Sequence, residues 1–148
     1  MTRWDPAPMS TARTILILDD DPSVLRALGR LMASSGCAWQ GYSSAENLLR
    51  DADLAKADCI IADVSLPGMS GLDLLSQLHG SGGAPPFIIV TANDDDDMRH
   101  ASRVAGASAF FRKPVDSQAL LDAVEWAIPR PGKPASPLLS DHRIATQP

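Results

Sequence analysis

ILILDDDP (residues 15–22) is a continuous apolar run that stops in three aspartates, and CIIADVSLPGMSG (59–71) is a second run that stops in one, Asp63. Apolar runs without alternation are the pattern of strands buried on both faces of a parallel sheet. In such a sheet the carboxyl ends of the strands lie along one edge, and ligands bind in the crevice outside it. Carboxylates at the ends of two strands meet there and repel each other until a cation arrives. Mg²⁺ takes a few carboxylates together with waters and phosphate oxygens, so the two runs point to an acidic pocket that handles phosphate.

Phe87–Val90 is a third continuous run, and Cys37–Tyr42 and Ser108–Arg112 are weaker strand candidates. Segments of helical period lie between them. The first opens with Asp21 as N-cap and Pro22 at the first helical position, carries Leu25, Leu28 and Met32 on one stripe, and ends at Gly36. Ser44 caps a second, carrying Leu48 and Leu49. Gly71–His79 forms a third, closed by Gly80, and Asp94–Ala105 a fourth, closed by Gly106. Asp116 or Ser117 starts a fifth, with Leu120, Leu121, Val124 and Ile128 facing inward. Strand and helix in this alternation predict an α/β fold with a doubly wound, five-stranded parallel sheet.

At 148 residues the chain supports one domain plus tails, and its 45% apolar content is ordinary for a globular domain. The net charge of −5, with no dense basic cluster, argues against direct nucleic-acid binding. No apolar run approaches the roughly 18–20 residues that span a membrane. MTRWDPAPMSTAR (1–13) contains no apolar core of a secretory signal, which leaves a cytoplasmic chain. Cys37 and Cys59 lack a CxxC spacing or a histidine partner and read as small buried hydrophobes. Residues 1–12 and the proline-rich 129–148 read as flexible tails around a domain at 13–128.

The strand ends thus carry Asp19-Asp20, Asp63, Thr91-Ala92 and Lys113-Pro114. That set resembles the receiver domain (CheY-like) of two-component response regulators. GYSSAENLL (41–49) and AGASAFFRKP (105–114) are most similar to its FixJ-like branch. The resemblance implies a flavodoxin-like sheet of order 2-1-3-4-5 and Asp63 as phosphoacceptor. It further implies Mg²⁺ held by Asp20, by Asp19 through water, by Asp63 and by the Ser65 carbonyl. Lys113 and Thr91 are then the residues that stabilise the phosphoryl group, and a cis bond is expected before Pro114. Thr91 and Phe110 are the expected switch pair, moving the surface of the fourth helix, fifth strand and fifth helix. Arg99, Arg103 and Arg112 lie on that surface beside Asp116, Asp122 and Glu125, a charge pattern suited to a symmetric, phosphorylation-dependent homodimer. Ser65 and Asn93 occupy positions that tune the lifetime of the acyl phosphate within the family.

The expected function is a stand-alone receiver that takes a phosphoryl group from a sensor histidine kinase and acts on a separate downstream partner. It catalyses only its own phosphorylation and dephosphorylation. The chain after Pro129 is shorter than the about 50–65 residues of a helix-turn-helix domain. Kinase choice is expected on the first helix, around Pro22–Arg30. Three rivals stand beside this reading: a phosphorylation-independent interaction module, a phosphate sink, and a Mg²⁺-dependent phosphohydrolase. The last lacks the DxD acid of aspartate-based phosphatases, because Val64-Ser65 follows Asp63. The interaction module predicts loss of an acidic residue, Thr91 or Lys113, and none is lost.

Plainer roles suit the other polar groups. The aspartates at 94–97 lack the spaced ligands and glycine of a calcium loop and read as a helix start favoured by the dipole. His79, His100 and His142 are scattered and read as surface residues. Trp126 is expected to pack the fifth helix onto the sheet or else to contribute to the output face, and Gly68 and Gly71 to serve the turn beside Asp63.

Overall fold

The strands form where the apolar runs lie, and their register sets two carboxylates side by side. The computed structural model describes residues 12–93 and 95–129. In chain order these give β1 (Thr14–Leu18), α1 (Pro22–Ser34), β2 (Ala38–Tyr42), α2 (Ala45–Asp51), a 3₁₀ turn at Leu54–Lys56, β3 (Cys59–Ala62), α3 (Gly71–Gly80), β4 (Phe87–Thr91), α4 (Asp96–Ala105), β5 (Ala109–Arg112) and α5 (Ser117–Ala127). All strand pairings are parallel, in the order β2-β1-β3-β4-β5. This is the doubly wound α/β sheet expected from the sequence pattern, in the strand order that the family resemblance implies. The calls for flexible tails fall on 1–11 and 130–148, which lie outside the described residues.

Alternate residues of the central strands feed two cores. Leu16, Leu18, Ile60, Ala62 and Ile89 face Leu48 of α2 and Leu74, Leu75 and Leu78 of α3. Ile15, Ile17, Ile61, Ile88 and Val90 face Leu28 and Met32 of α1 and Leu120 and Val124 of α5. Side chains buried on both faces explain why β1, β3 and β4 read as uninterrupted apolar runs. No helix among the described residues is long and apolar enough to cross a membrane.

The caps hold each helix start near the sheet edge. Asp21 accepts from the Ser23 N–H, Ser44 from Asn47, Ser70 from Asp73 and Asp116 from Ala119. Three expectations shift. Cys37 precedes β2 instead of opening it. α4 begins at Asp96, because Asp95 is in extended backbone (φ −119, ψ 169) and uses its carboxylate to cap Met98 N–H. An N-cap needs that non-helical backbone, which sets Asp95 before the helix and Asp96 and Asp97 in its first turn. Trp126 is 47% exposed and does not pack α5 onto the sheet, a role taken by Leu120, Ala123, Val124 and Ile128. Trp39 fills a place the sequence did not advertise: its indole lies against Gly29 of α1, where no Cβ would fit.

Candidate functional site

Leu18 of β1 is in register with Ala62 of β3, and the Asp63 N–H continues the ladder to Leu18 O at 3.0 Å. Asp19 and Asp63 therefore leave adjacent strand ends together. Both are nearly buried, at 2% and 7% exposure. Each divides its two oxygens in the same way. Asp19 Oδ1 accepts from the Asp21 N–H at 2.9 Å, and Asp63 Oδ1 accepts from the Ser65 N–H at 3.0 Å. Their Oδ2 atoms both accept from Lys113 Nζ, at 2.7 Å for Asp19 and 2.8 Å for Asp63.

Lys113 arrives from the end of β5, where its N–H bonds Thr91 O at 2.9 Å, and the Lys113–Pro114 peptide is cis. Burial pulls the Lys113 ammonium down most strongly, but the hydrogen bonds to Asp19 and Asp63 and their charges together outweigh it, and its pKa lies above the ordinary value. One ammonium facing two carboxylates leaves the crevice net negative. Two desolvated acids sharing a single counter-ion form a site that another cation would stabilise.

The other expected residues are placed differently. Asp20 and Ser65 are exposed beside the crevice. Thr91 ends β4, is fully buried, and its Oγ1 accepts from the Asn93 N–H at 3.2 Å, which leaves its hydroxyl proton for another acceptor. Phe110 of β5 is 1% exposed, and the Arg99 guanidinium of α4 lies 5.0 Å from its ring centroid. Asp19, Asp63 and Lys113 are thus in direct contact, Thr91 joins them through the backbone, and Phe110 lies on the flank.

Among the described residues no group of three or more His, Cys, Asp or Glu side chains is gathered closely enough to hold a metal. Asp20 accordingly does not join Asp19 and Asp63 in a three-acid cluster. The donors still suit Mg²⁺, which needs only one or two carboxylates beside waters and phosphate oxygens. Asp19 and Asp63 supply two such carboxylates already drawn onto one cationic group.

One residue here was not singled out by the sequence. Glu46 reaches from α2 to the loop after Asp63, bonding the Met69 N–H at 2.9 Å. It has no local signal, because the two ends of the contact lie 23 positions apart in the chain. Arg99 was placed on the expected switch surface for its charge, and its contact with the Phe110 ring is added by the structure. Gly71 proves to serve close approach and not only a turn: a Cβ there would collide with the Asp63 carbonyl. Cys59 is inert, its thiol pushed up to about 12 by burial.

The response regulator receiver domain family matches residues 15–125. The response regulator protein TodT of Pseudomonas putida is 40% identical over 117 residues, covering 79% of this chain and 52% of TodT. The transcriptional regulatory protein FixJ of Azorhizobium caulinodans is 33% identical over 122 residues, covering 82% of this chain and 58% of FixJ. The chain thus spans about half the length of the curated relatives it matches. Among solved structures, the response regulator StyR aligns with a TM-score of 0.73 at 34% identity, over 79% of this chain and 59% of that one. A CheY-like receiver domain protein from Methanospirillum hungatei aligns at 0.72 and 27% identity, over 77% and 91%.

Proposed function

The chain belongs to the response regulator receiver family, and from that premise we propose that Asp63 accepts a phosphoryl group from a sensor histidine kinase. The observation that carries the reading is the shared contact of Lys113 with Asp63 and Asp19 at 2.8 and 2.7 Å. It aims a nearly buried carboxylate and a fixed ammonium at one point.

Asp63 Oδ2 attacks phosphorus, the bond to the donor's nitrogen or oxygen breaks, and an acyl phosphate remains on Asp63. Such transfers ask mainly for position and for neutralised charge on the phosphoryl oxygens. The Ser65 N–H keeps Oδ1 occupied, which leaves Oδ2 to react. Lys113 exchanges its contact with Oδ2 for a phosphoryl oxygen, and the Thr91 hydroxyl donates to another. Asp63, the Ser65 carbonyl, Asp19 through water and Asp20 once turned into the crevice would hold Mg²⁺, which would supply further charge neutralisation.

Drawing Thr91 toward the phosphoryl group frees space beside β5, and Phe110 moves in response. The surface of α4, β5 and α5 then changes what it binds, a second copy or a downstream protein. The cycle of phosphorylation and hydrolysis is the only chemistry in this proposal, which places the domain in the cytoplasm as a switch and not a turnover enzyme. Its partners are proteins, in keeping with a net charge of −5. The proposal concerns the receiver and is independent of what the rest of a longer polypeptide carries.

The test is intact mass after incubation with acetyl phosphate, with Mg²⁺ or with excess chelator, for wild type and Asp63→Asn. One phosphoryl adduct that requires both Mg²⁺ and Asp63 is expected. An adduct of equal yield in Asp63→Asn would remove the proposal.

A further inference from the structure

The loop that follows Asp63 is held from outside the acidic crevice. Glu46, in the first turn of α2, accepts from the Met69 N–H at 2.9 Å across 23 positions of chain. The same carboxylate lies over Gly68, where a Cβ would come within 2.6 Å of Glu46 Oε2. Gly68 has φ +75, a left-handed conformation that glycine adopts without strain. The Met69 N–H, foremost, holds the Glu46 carboxyl below the usual carboxylate range although the side chain is exposed.

The chain passes from Met69 into Ser70, the N-cap of α3, and then Gly71, which is packed against the Asp63 carbonyl. The Gly71 and Leu66 N–H groups both donate to Val64 O at 3.1 Å, closing the loop on itself. At its near end the Ser65 N–H holds Asp63 Oδ1 at 3.0 Å. The loop is therefore tied to Asp63 through Ser65, to the end of β3 through Gly71, and to α2 through Glu46.

We propose that Glu46 is a positioning residue for phosphoryl transfer: it pins the 64–71 loop and, through that loop, fixes how the Ser65 amide presents the Asp63 carboxylate. The proposal rests on the reading of Asp63 as phosphoacceptor. Glu46 touches none of the reacting atoms. An exposed hydrogen bond adds little to global stability, but a loop that orients a nucleophile transmits its positional error directly to the attack geometry. Gly68 is part of the same device, because any larger residue would push the Glu46 carboxylate off the Met69 amide.

The test compares wild type, Glu46→Ala and Glu46→Gln in the full chain with Mg²⁺ present. Two quantities are read: amide hydrogen exchange at Ser65 and Met69, and the rate of adduct formation with acetyl phosphate. Glu46→Ala is expected to speed exchange at both amides and slow adduct formation about 10-fold, short of the roughly 100-fold that a misplacement of 1 Å costs. The urea midpoint stays in place. Glu46→Gln keeps an acceptor at the same length and recovers most of both effects. Faster exchange with an unchanged rate would reduce Glu46 to a structural tether and overturn the positioning role, as would no change in either. If wild type itself forms no adduct, the phosphoacceptor reading fails and the positioning role with it, while Ser65 exchange still reports whether the tether exists.

Discussion

Two neighbouring regions at the carboxyl edge of the sheet are held by opposite means. Beyond β1 and β3, Asp19 and Asp63 are nearly buried and share one ammonium, so order there depends on charge balance. On the β4–β5 flank, Phe110 is set in the apolar cluster, and charge enters only from outside, where Arg99 covers the ring. A crevice in which two carboxylates share one ammonium reorganises when a cation or a phosphoryl dianion is added. A close-packed flank moves only when space opens beside it. Thr91 is where the two meet: it is buried in the flank, and its carbonyl holds the backbone of Lys113 at 2.9 Å.

The contrast breaks first on the packed side. Phe110→Ala empties a fully buried ring and is expected to cost about 3–5 kcal/mol in urea denaturation, the range for such truncations. A cost below about 1 kcal/mol would mean the flank is not close-packed. Lys113→Ala comes next, at about 2 kcal/mol. It leaves two desolvated carboxylates unpaired, and the figure sits below the roughly 3–5 kcal/mol of a broken buried pair because the lysine side chain is 23% exposed.

A double-mutant cycle sharpens the comparison. In an Asp63→Asn background only one carboxylate needs the ammonium, so Lys113→Ala is expected to lose at least about 1 kcal/mol of its cost. Strict additivity would contradict the shared-ammonium account. Phe110→Ala and Asp63→Asn, by contrast, should combine additively.

pH separates the regions as well. The Lys113 pKa is raised above its ordinary 10.5, so its contribution is complete below that value and is lost as pH rises through the raised one. Stability measured from about pH 9 to 12 should therefore fall more steeply for wild type than for Lys113→Met, with Phe110→Ala keeping the wild-type slope. The smallest expected effect is Thr91→Val, which removes the acceptor of the Asn93 N–H for about 1 kcal/mol.

The central sheet was legible in the sequence because β1, β3 and β4 are buried on both faces and, apart from Thr14 and Thr91 at their ends, carry only apolar residues. The cap residues Asp21, Ser44 and Asp116 were legible because an N-cap is a local arrangement of side chain and backbone. The start of α4 was less so: several adjacent aspartates can each cap a helix, and tertiary context selects Asp95. Trp126 was left between core and output face because helical period alone does not say how far an inward stripe extends near the end of α5, and its exposure decides for the surface. In the site, the strand-end rule brought Asp19, Asp63, Thr91 and Lys113 into view. It could not show that Lys113 would bond Asp19 and Asp63 while Asp20 stayed exposed, because that choice depends on side-chain direction at the first residue after β1. Glu46 was hidden for a different reason, since a contact across 23 positions of chain leaves no local pattern.

The central claim is that the buried, lysine-paired carboxylate at position 63 is the one that reacts. Borohydride trapping of the chain after treatment with acetyl phosphate and Mg²⁺, followed by peptide sequencing in the mass spectrometer, tests it most directly. The account predicts reduction of the acyl phosphate to homoserine at position 63 alone, with Asp19 and Asp20 intact. Homoserine at Asp19 or Asp20, with position 63 unmodified, would contradict it.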